Sequence, residues 1–336
     1  LFGLLNLSIA LTLLWYFFAQ LSKTQQHYLR TSLILSFVIL SGLMLFSNQL
    51  SEKWNETVFD DRIVHSQQTP YQQIVMTKRK DDIRLYLNGG LQFSAIDEYR
   101  YHESLIHPAM QRIENPKSIL ILGGGDGLAA RELLKYPMVE TITLVDLDPA
   151  VAQLARDNVY LVELNNRALF NEKVQVIHQD AFVYLTDTQQ RFDLIVVDLP
   201  DPKTVSLARL YSKQFYQIAR SRLQDTGILV TQATSPFFAN KAFWSIHNTL
   251  AASGYTQVLP YHVDIPSFGD WGFVMACKFQ CDFVQDYLPP MRFYAKNIEA
   301  ALMTFSADIN NRESKISNLD KPQVLYYYLE GWKHWS

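Results

Sequence analysis

Five aspartates stand at or just after the ends of apolar segments in the middle of the sequence: Asp126, Asp146, Asp180, Asp198 and Asp201. Asp126 lies in the turn Gly123-Gly124-Gly125-Asp126-Gly127, in which glycines such as Gly123 and Gly125 allow a tight turn and a close approach of a ligand to the backbone. An acidic residue about 20 residues further on, here Asp146, accepts hydrogen bonds from ribose hydroxyls. The pattern predicts a nucleoside site; the alternative is a structural glycine turn.

The remaining carboxylates distinguish between two classes of protein that use this layout, the dinucleotide oxidoreductases and the S-adenosylmethionine-type transferases. Asp180 ends the third predicted strand, where it can accept a hydrogen bond from an adenine amino group, and Asp198 and Asp201 end the fourth. A pyrophosphate beside so many carboxylates is repelled, whereas a cation is held. The residues therefore favour a sulfonium nucleoside together with a positively charged co-substrate.

Alternating strands and helices from Lys117 onward position these aspartates. The order strand, glycine turn, helix, strand predicts an α/β fold, a Rossmann-like doubly wound parallel sheet of the methyltransferase type, with ligands at the carboxyl ends of its strands. Upstream, Asn88-Gly89-Gly90 between two short strands predicts a hairpin with a type I′ turn, and a helix is expected over Tyr99–Arg112. We predict a small antiparallel β-domain over 60–98, a catalytic domain over 99–278 and a C-terminal extension over 279–336, in which no chemistry is recognised.

Composition excludes some functions. The chain has 336 residues and a net charge of −3, and the absence of a basic surplus argues against nucleic acid as a partner. Cys277 and Cys281 are too few for a disulfide framework and fit a reduced compartment. The histidines lack the spacing of ligands, so no metal is predicted.

The first 51 residues are predicted to form a transmembrane helical hairpin. Leu1–Leu21 and Thr31–Leu50 are apolar and long enough to cross a hydrocarbon core of roughly 30 Å, and Ser22–Arg30 is expected to be a polar loop. The alternative is a pair of buried helices. Because the sequence starts at Leu1 and not at Met, it is interpreted as the C-terminal part of a larger membrane protein.

The stretch from about Thr69 to Lys278 resembles the polyamine aminopropyltransferases, the spermidine synthase family, and specifically its membrane-attached bacterial branch. The resemblance rests on ordered blocks of sequence: PYQQIV, LNGGLQFSAIDEYRYHE, ILGGGDG, VDLDPA, QDA, DLPDP and IPSFGDWGF. It implies a small β-domain on a Rossmann-like domain, a dimer or larger homo-oligomer, and no permanently bound cofactor. It also implies transfer of an aminopropyl group from decarboxylated S-adenosylmethionine to a diamine, with release of methylthioadenosine.

The resemblance assigns the nucleoside end of the site. It implies that Gln72 and His102 position the nucleoside and its aminopropyl arm, that Asp146 holds the ribose and that Asp180 holds the adenine. Asp126 occupies the loop where an ordinary methyltransferase leaves room for the methionine carboxylate. A carboxylate there binds the free ammonium of the decarboxylated co-substrate and repels the carboxylated one.

The resemblance also assigns the amine end. Asp198 is expected to be the base that takes a proton from the attacking amine, with Tyr101 beside it, because an alkylamine is mostly protonated at neutral pH. Asp201 is expected to bind the distal ammonium, and Gln232 to add a hydrogen bond to the amine. The alternative for both aspartates is a solvated loop with helix-capping side chains.

One position departs from the family pattern. Many members carry a tyrosine after the Ile-Pro pair, but this chain has Phe268, and Trp271 is expected to supply an apolar or cation-π wall instead. Putrescine is therefore the default acceptor, with agmatine, cadaverine or a longer polyamine as alternatives.

Two rival functions and one conflict about location stay open. The rivals are an S-adenosylmethionine-dependent methyltransferase and a non-catalytic membrane module that binds polyamines. The positive-inside rule applied to Lys23 and Arg30 puts the catalytic domain outside the cell, whereas its nucleoside substrate is made inside. The prediction follows the substrate: a multi-pass protein of the cell (inner) membrane with a cytoplasmic catalytic domain and membrane lipid as a further partner.

Overall fold

The computed structural model describes Thr12 and residues 22–59, 61–285, 287–333 and 335. The chain divides into two compact units, Leu1–Arg62 and Ile63–Ser336. In the first unit, helix α1 spans Lys23–Val58.

The predicted polar loop over Ser22–Arg30 is wrong, because α1 begins at Lys23. The backbone N–H of Ser22 donates to the side-chain oxygen of Gln25 (3.0 Å), and the backbone N–H of Gln25 donates back to Ser22 Oγ (3.4 Å). This reciprocal pair is a capping box, which satisfies backbone donors at a helix start. The sequence Ser-Lys-Thr-Gln therefore starts a helix where the prediction placed a turn.

The predicted membrane hairpin and membrane location are contradicted. Across residues 22–59, 61–285, 287–333 and 335, no helix has both the length and the apolar composition needed to cross a bilayer. The predicted first span, Leu1–Leu21, lies outside the described residues except for Thr12. The predicted second span, Thr31–Leu50, is the middle of the 36-residue α1 and not a separate element. Nothing in the described residues supports the membrane-attached branch or lipid as a partner.

A four-stranded sheet opens the second unit. Its strands lie in chain order: β1 (Arg62–Gln68), β2 (Gln73–Arg79), β3 (Asp82–Leu87) and β4 (Gly90–Ser94). β3 pairs antiparallel with both β2 and β4. Asn88 and Gly89 have φ of +50° and +75°, so the predicted hairpin with two positive φ angles is confirmed.

A seven-stranded sheet forms the centre of the second unit. Its strands lie in the order β10 (Gln257–Ile265), β11 (Gly269–Cys277), β9 (Leu223–Gln232), β8 (Phe192–Asp198), β5 (Ser118–Gly123), β6 (Thr141–Asp146) and β7 (Val174–His178). The neighbouring strands from β9 to β7 in this order pair parallel. The order reverses between β5 and β8, where Gly123 is in register with Asp198. Open α/β sheets bind ligands at such a switch point.

One strand departs from the predicted parallel sheet, because β11 runs antiparallel to both of its neighbours, β9 and β10. β10 (Gln257–Ile265) and β11 (Gly269–Cys277) pair antiparallel. The connection between them is too short for the crossover that parallel neighbours need, so a hairpin is the available geometry. Cys277 is bonded to Cys281 (S–S 2.01 Å), so the expectation of two thiols is wrong, although a single local bridge is not a framework.

Helices flank the two sheets of the second unit, and apolar side chains of helices and sheets pack together in its hydrophobic clusters. They are α2 (Glu98–Met110), α3 (Leu128–Leu133), α4 (Pro149–Asp157), α5 (Val159–Leu164), α6 (Ala181–Asp187), α7 (Val205–Ala208), α8 (Lys213–Ser221), α9 (Asn240–Ala251), α10 (Glu299–Leu302) and α11 (Gln323–Trp332). Short 3-10 helices occur at Ala168–Phe170, Arg209–Tyr211 and Lys296–Ile298. The central strands β5 and β8 are buried almost throughout, which fixes the strand ends that carry the predicted site.

Candidate active site

A cavity of about 520 Å³ lies at the carboxyl ends of the parallel strands, between the small sheet and the large one. Every residue that the sequence analysis assigned to the site lines this cavity: Gln72, Tyr101, His102, Gly123, Gly125, Asp126, Asp146, Asp180, Asp198, Asp201, Gln232, Phe268 and Trp271. Segments far apart in the sequence are therefore brought to one place.

The glycine turn is required by close backbone contacts. A Cβ on Gly123 would stand 2.0 Å from the carbonyl oxygen of Asp198, and φ at Gly123 is +85°. A Cβ on Gly125 would stand 2.6 Å from Asp146 Oδ2. Because real Cβ atoms never come so close, only glycine lets β5, β6 and β8 meet at the cavity.

Asp146 is oriented by the backbone. Its Oδ2 accepts the N–H of Gly125 (3.0 Å) and its Oδ1 accepts the N–H of Asp148 (2.9 Å). Burial raises the pKa of Asp146, and these two donors oppose the rise. Each carboxylate oxygen keeps one lone pair for a further donor, which is the geometry that two ribose hydroxyls need.

Gln72 is held by a neighbouring carboxylate. Asp148 caps α4 by accepting the N–H of Ala150 (3.1 Å) through Oδ1. Its Oδ2 accepts from the Thr69 hydroxyl (2.7 Å) and from Gln72 Nε2 (3.1 Å). The contact ties the loop before β2 to the Rossmann-like part of the chain and fixes the Gln72 amide at the cavity wall.

Asp180 is engaged on both oxygens. Its Oδ1 caps α6 by accepting the N–H groups of Phe182 (3.0 Å) and Val183 (3.1 Å), and its Oδ2 forms an ion pair with Arg209. The helix-capping alternative that was weighed for Asp198 and Asp201 is thus what Asp180 does. It still lines the cavity, with its carboxylate oriented by these contacts.

The start of helix α2 organises several parts of the site at once. Asp97, just before the helix, accepts the backbone N–H (2.7 Å) and the hydroxyl (2.8 Å) of Ser267. Glu103 accepts the N–H groups of Phe293 (2.7 Å) and Tyr294 (2.8 Å) through Oε2. The segment DEYRYHE therefore anchors the loop between β10 and β11 and the segment that follows β11.

His102 is held in place by a buried row of hydrogen-bonded charged side chains. Its Nδ1 lies 2.8 Å from Glu98 Oε2, and Glu98 accepts two bonds from the Arg131 guanidinium (2.8 and 2.9 Å). Burial by itself lowers the pKa of His102, but the hydrogen bond and charge of Glu98, together with the charges of Asp126 and Asp198, raise it above the ordinary value. Sequence reasoning missed Glu98 and Arg131; Glu98 is one helical turn before His102.

Asp198 and Tyr101 form the pair that was expected at the attacking amine. The Tyr101 hydroxyl donates to Asp198 Oδ1 (2.7 Å). Burial, and then the charge of Asp198, raises the pKa of Tyr101 well above its usual value, so the phenol stays protonated and stays a donor. Burial also raises the pKa of Asp198, against the effects of His102 and Tyr101. A carboxylate with a raised pKa is a better proton acceptor.

Asp126 and Asp201 are half-buried carboxylates with raised pKa values, although the charge of His102 opposes the rise at Asp126 and that of Lys203 opposes it at Asp201. Burial raises the pKa of Asp126 to about 6, the charge of Asp198 adds to the rise, and His102 opposes it. Asp126 Oδ1 accepts the N–H of Leu128 (2.9 Å). Burial likewise raises the pKa of Asp201 to about 6. Groups of this kind favour a bound cation, which would restore their ionised form.

Asp201 has two neutral donors, one of them from a segment in which no chemistry was recognised. Its Oδ1 lies 3.3 Å from Gln232 Nε2, and its Oδ2 accepts the Tyr328 hydroxyl (3.0 Å). Gln232 Nε2 also lies 2.7 Å from the carbonyl oxygen of Leu199. Gln232 therefore braces the Asp201 loop, and its expected hydrogen bond to the amine stays a prediction. Tyr328 lies on α11.

Aromatic rings close the amine end of the cavity. The rings of Phe268 and Trp271 lie 5.2 Å apart, and that of Phe268 lies 6.4 Å from Tyr101. Trp271 is 8% exposed, and its buried Nε1–H has no hydrogen-bond partner among the described residues. The described part of the chain contains no group of three His, Cys, Asp or Glu residues that could hold a metal ion.

The fold and the cavity define a class: a Rossmann-like, nucleoside-binding protein with an acidic site for a cationic co-substrate. Residues 98–285 match the family described as the spermine/spermidine synthase domain. The match spans more than half of the chain, so the chain belongs to the spermine/spermidine synthase family. The predicted family and its Rossmann-like fold with an N-terminal β-sheet are thus confirmed.

Relatives and solved structures agree with this family. The polyamine aminopropyltransferase of Oceanobacillus iheyensis is 43% identical over 99% of this chain and 65% of its own length. That of Leptospira interrogans is 40% identical over 98% of this chain and 66% of its own length. The chain thus spans about two thirds of these relatives.

Two solved structures share the fold. A spermidine synthase in complex with the transition state analogue AdoDATO has a TM-score of 0.68 at 25% identity, covering 73% of this chain and 86% of that one. Spermidine synthase from Thermotoga maritima has a TM-score of 0.67 at 25% identity, covering 73% and 85%.

Proposed function

We propose that the chain is an aminopropyltransferase that moves the aminopropyl group of decarboxylated S-adenosylmethionine to a diamine, putrescine by default, giving spermidine and methylthioadenosine. The observation that carries the proposal is the set of three half-buried carboxylates, Asp126, Asp198 and Asp201, in one cavity beside a glycine turn, each with a raised pKa. A sulfonium nucleoside and a diamine together bring several positive charges to this place.

The nucleoside lies along the glycine turn in this proposal. Asp146 takes the ribose hydroxyls, Asp180 lies at the adenine and Gln72 borders the nucleoside. Asp126, at the start of α3, receives the ammonium of the aminopropyl arm. Support comes from the raised pKa of Asp126, because a cation beside a desolvated carboxylate stabilises its charged form.

The chemical step is a displacement at carbon. The amine nitrogen attacks the aminopropyl carbon bonded to sulfur, the new C–N bond forms, and the C–S bond breaks with its electron pair going to sulfur. The sulfonium becomes the neutral thioether methylthioadenosine, and the proton lost by the amine goes to Asp198. Tyr101 keeps Asp198 oriented through its 2.7 Å hydrogen bond.

The amine lies between Asp198 and the aromatic wall. Asp201 binds its distal ammonium, which fixes the attacking nitrogen for in-line displacement. Trp271 and Phe268 line the apolar methylene chain, and an aromatic face also attracts an ammonium. Phe268 stands where many family members have a tyrosine, so putrescine, agmatine, cadaverine and longer polyamines are all acceptors to be tested. The homo-oligomer implied by the resemblance stays a prediction.

The test is a product assay on the purified chain. Methylthioadenosine release is measured with decarboxylated S-adenosylmethionine and each amine in turn, for the parent and for Asp198→Asn. The proposal predicts release that depends on an amine and is reduced at least a hundredfold in the variant, the usual scale for removing a general base. Methyl transfer from intact S-adenosylmethionine would indicate a methyltransferase, and amine binding without product would indicate a polyamine-binding module; either result rejects the proposal.

A further inference from the structure

The C-terminal helix α11 reaches the amine end of the cavity. The Tyr328 hydroxyl donates to Asp201 Oδ2 at 3.0 Å, across 127 positions of sequence. Burial, together with the charge of Asp201, raises the pKa of Tyr328, so its phenol stays protonated and acts as a donor. The contact comes from the segment 279–336, which the family profile over residues 98–285 largely excludes.

Close packing fixes α11 where Tyr328 meets Asp201. Gly331 lies one turn after Tyr328, on the same helical face, and a Cβ there would stand 2.7 Å from the carbonyl oxygen of Phe238. The ring of the adjacent Trp332 stacks on Phe238 at 5.2 Å. Gly331 is the last residue but one of α11, and the absence of a side chain permits this close approach to Phe238.

Asp201 is oriented from both sides by neutral donors. Gln232 Nε2 lies 3.3 Å from Oδ1, and Tyr328 holds Oδ2. A carboxylate oxygen has two lone pairs, so each oxygen still has one for an ammonium. Without the Tyr328 bond, the longer Gln232 contact would hold the carboxylate less firmly against rotation about χ2.

The residue at position 268 shows why the contact between Tyr328 and Asp201 matters. The ring of Phe268 lines the cavity beside Tyr101 and Trp271 without a hydroxyl, so the β10–β11 loop offers no phenolic donor at position 268. Tyr328 brings a phenolic donor to the same end of the cavity from a different element.

We propose that Tyr328 is a positioning residue of the amine site, whose hydroxyl fixes the Asp201 carboxylate for the distal ammonium and makes α11 part of that site. The inference rests on the proposed function and extends it to a segment outside the matched family domain. It concerns the amine alone, because the nucleoside lies along the glycine turn.

Two kinetic readouts distinguish positioning from a general effect on folding. Tyr328→Phe is expected to raise the KM of the diamine roughly threefold to tenfold, the scale of one typical intramolecular hydrogen bond, and to leave the KM of the nucleoside unchanged. The Tyr328 and Gln232 donors and the charge of Lys203 all lower the pKa of Asp201. Loss of the Tyr328 hydroxyl alone therefore raises that pKa. The acid limb of kcat/KM for the diamine is therefore expected to move to higher pH.

The matched control is Tyr326→Phe, which removes a hydroxyl from the same helix at a side chain that is 57% exposed. Nucleoside affinity, measured by calorimetry, reports folding of each variant. The inference would be overturned if Tyr328→Phe and Tyr326→Phe had the same KM for the diamine and the same acid limb of the pH profile of kcat/KM. Turnover by the parent would still support the proposed function in that case. If the parent makes no methylthioadenosine, the proposed function fails. The inference about Tyr328 is then tested by the affinity of putrescine for the parent and for Tyr328→Phe, measured by calorimetry. A weaker affinity in the variant supports the inference, and an equal affinity overturns it.

Discussion

Replacing Asp126 by asparagine is expected to raise the free energy of unfolding and to remove the carboxylate proposed to bind the ammonium of the nucleoside. The side chain is isosteric, and the asparagine Oδ1 can still accept the N–H of Leu128. The parent's carboxylate is held ionised at neutral pH against burial and against the charge of Asp198, which raise its pKa from 3.8 to about 6. The variant carries no such penalty.

The size and the sign of the effect follow from the raised pKa of Asp126. Below pH 3.8 the carboxyl is protonated in both the folded and the unfolded chain, so it carries no penalty. As the pH rises through 6, the folded state must give up a proton that it holds more tightly than the unfolded state does. The difference of about two pKa units corresponds to roughly 3 kcal/mol at pH 8, and to about half of that at pH 5.

Urea unfolding of the full chain at pH 5 and pH 8 measures this effect. Asp225→Asn is the control, because the Asp225 side chain is 93% exposed and its charge is screened by solvent. We expect the free energy of unfolding of Asp126→Asn to exceed that of the parent at both values and by more at pH 8. A variant that is no more stable than the parent at pH 8, or equally stabilised at both values, would refute the reasoning about Asp126.

Two further predictions concern the elements that support the site. Glu98→Gln removes the charge that raises the pKa of His102. NMR titration of the His102 ring should therefore give a lower pKa than in the parent. An unchanged pKa would contradict the role given to the Glu98–His102 contact. Gly123→Ala puts a Cβ 2.0 Å from the Asp198 carbonyl oxygen and is expected to abolish nucleoside binding in calorimetry. Gly254→Ala shares the positive φ (+92°) but has its nearest neighbour at 3.8 Å, so equal losses in both variants would show that φ, and not the clash, is responsible.

The Rossmann-like core could be predicted because its signals are local. Each buried strand is a short apolar run, and the glycine turn follows directly after β5. Parallel strands bring their carboxyl ends to one edge, so Asp146, Asp180 and Asp198 had to meet there. The Asn88-Gly89 hairpin was predictable for the same reason, since its two positive φ angles are a property of those two residues.

The contacts that the sequence did not reveal are long-range or depend on polar detail. Tyr328 and Asp201 are far apart in the chain, and only the packing of α11 brings them together. The spacing of Tyr328, Gly331 and Trp332 places them on one face of a helix, which indicates that this face packs against the rest of the chain. At the N-terminus, apolar length alone does not identify the capping box at Ser22 and Gln25, which starts a helix in the predicted loop.

The most direct test of the proposed function is a competition between the two nucleosides. The chain is incubated with putrescine and equal concentrations of S-adenosylmethionine and decarboxylated S-adenosylmethionine, and the amine product is identified by mass spectrometry. The account predicts that putrescine gains only an aminopropyl group and that Asp126→Asn loses this selectivity. Methylated putrescine from the parent chain, or an unmodified amine, would contradict it.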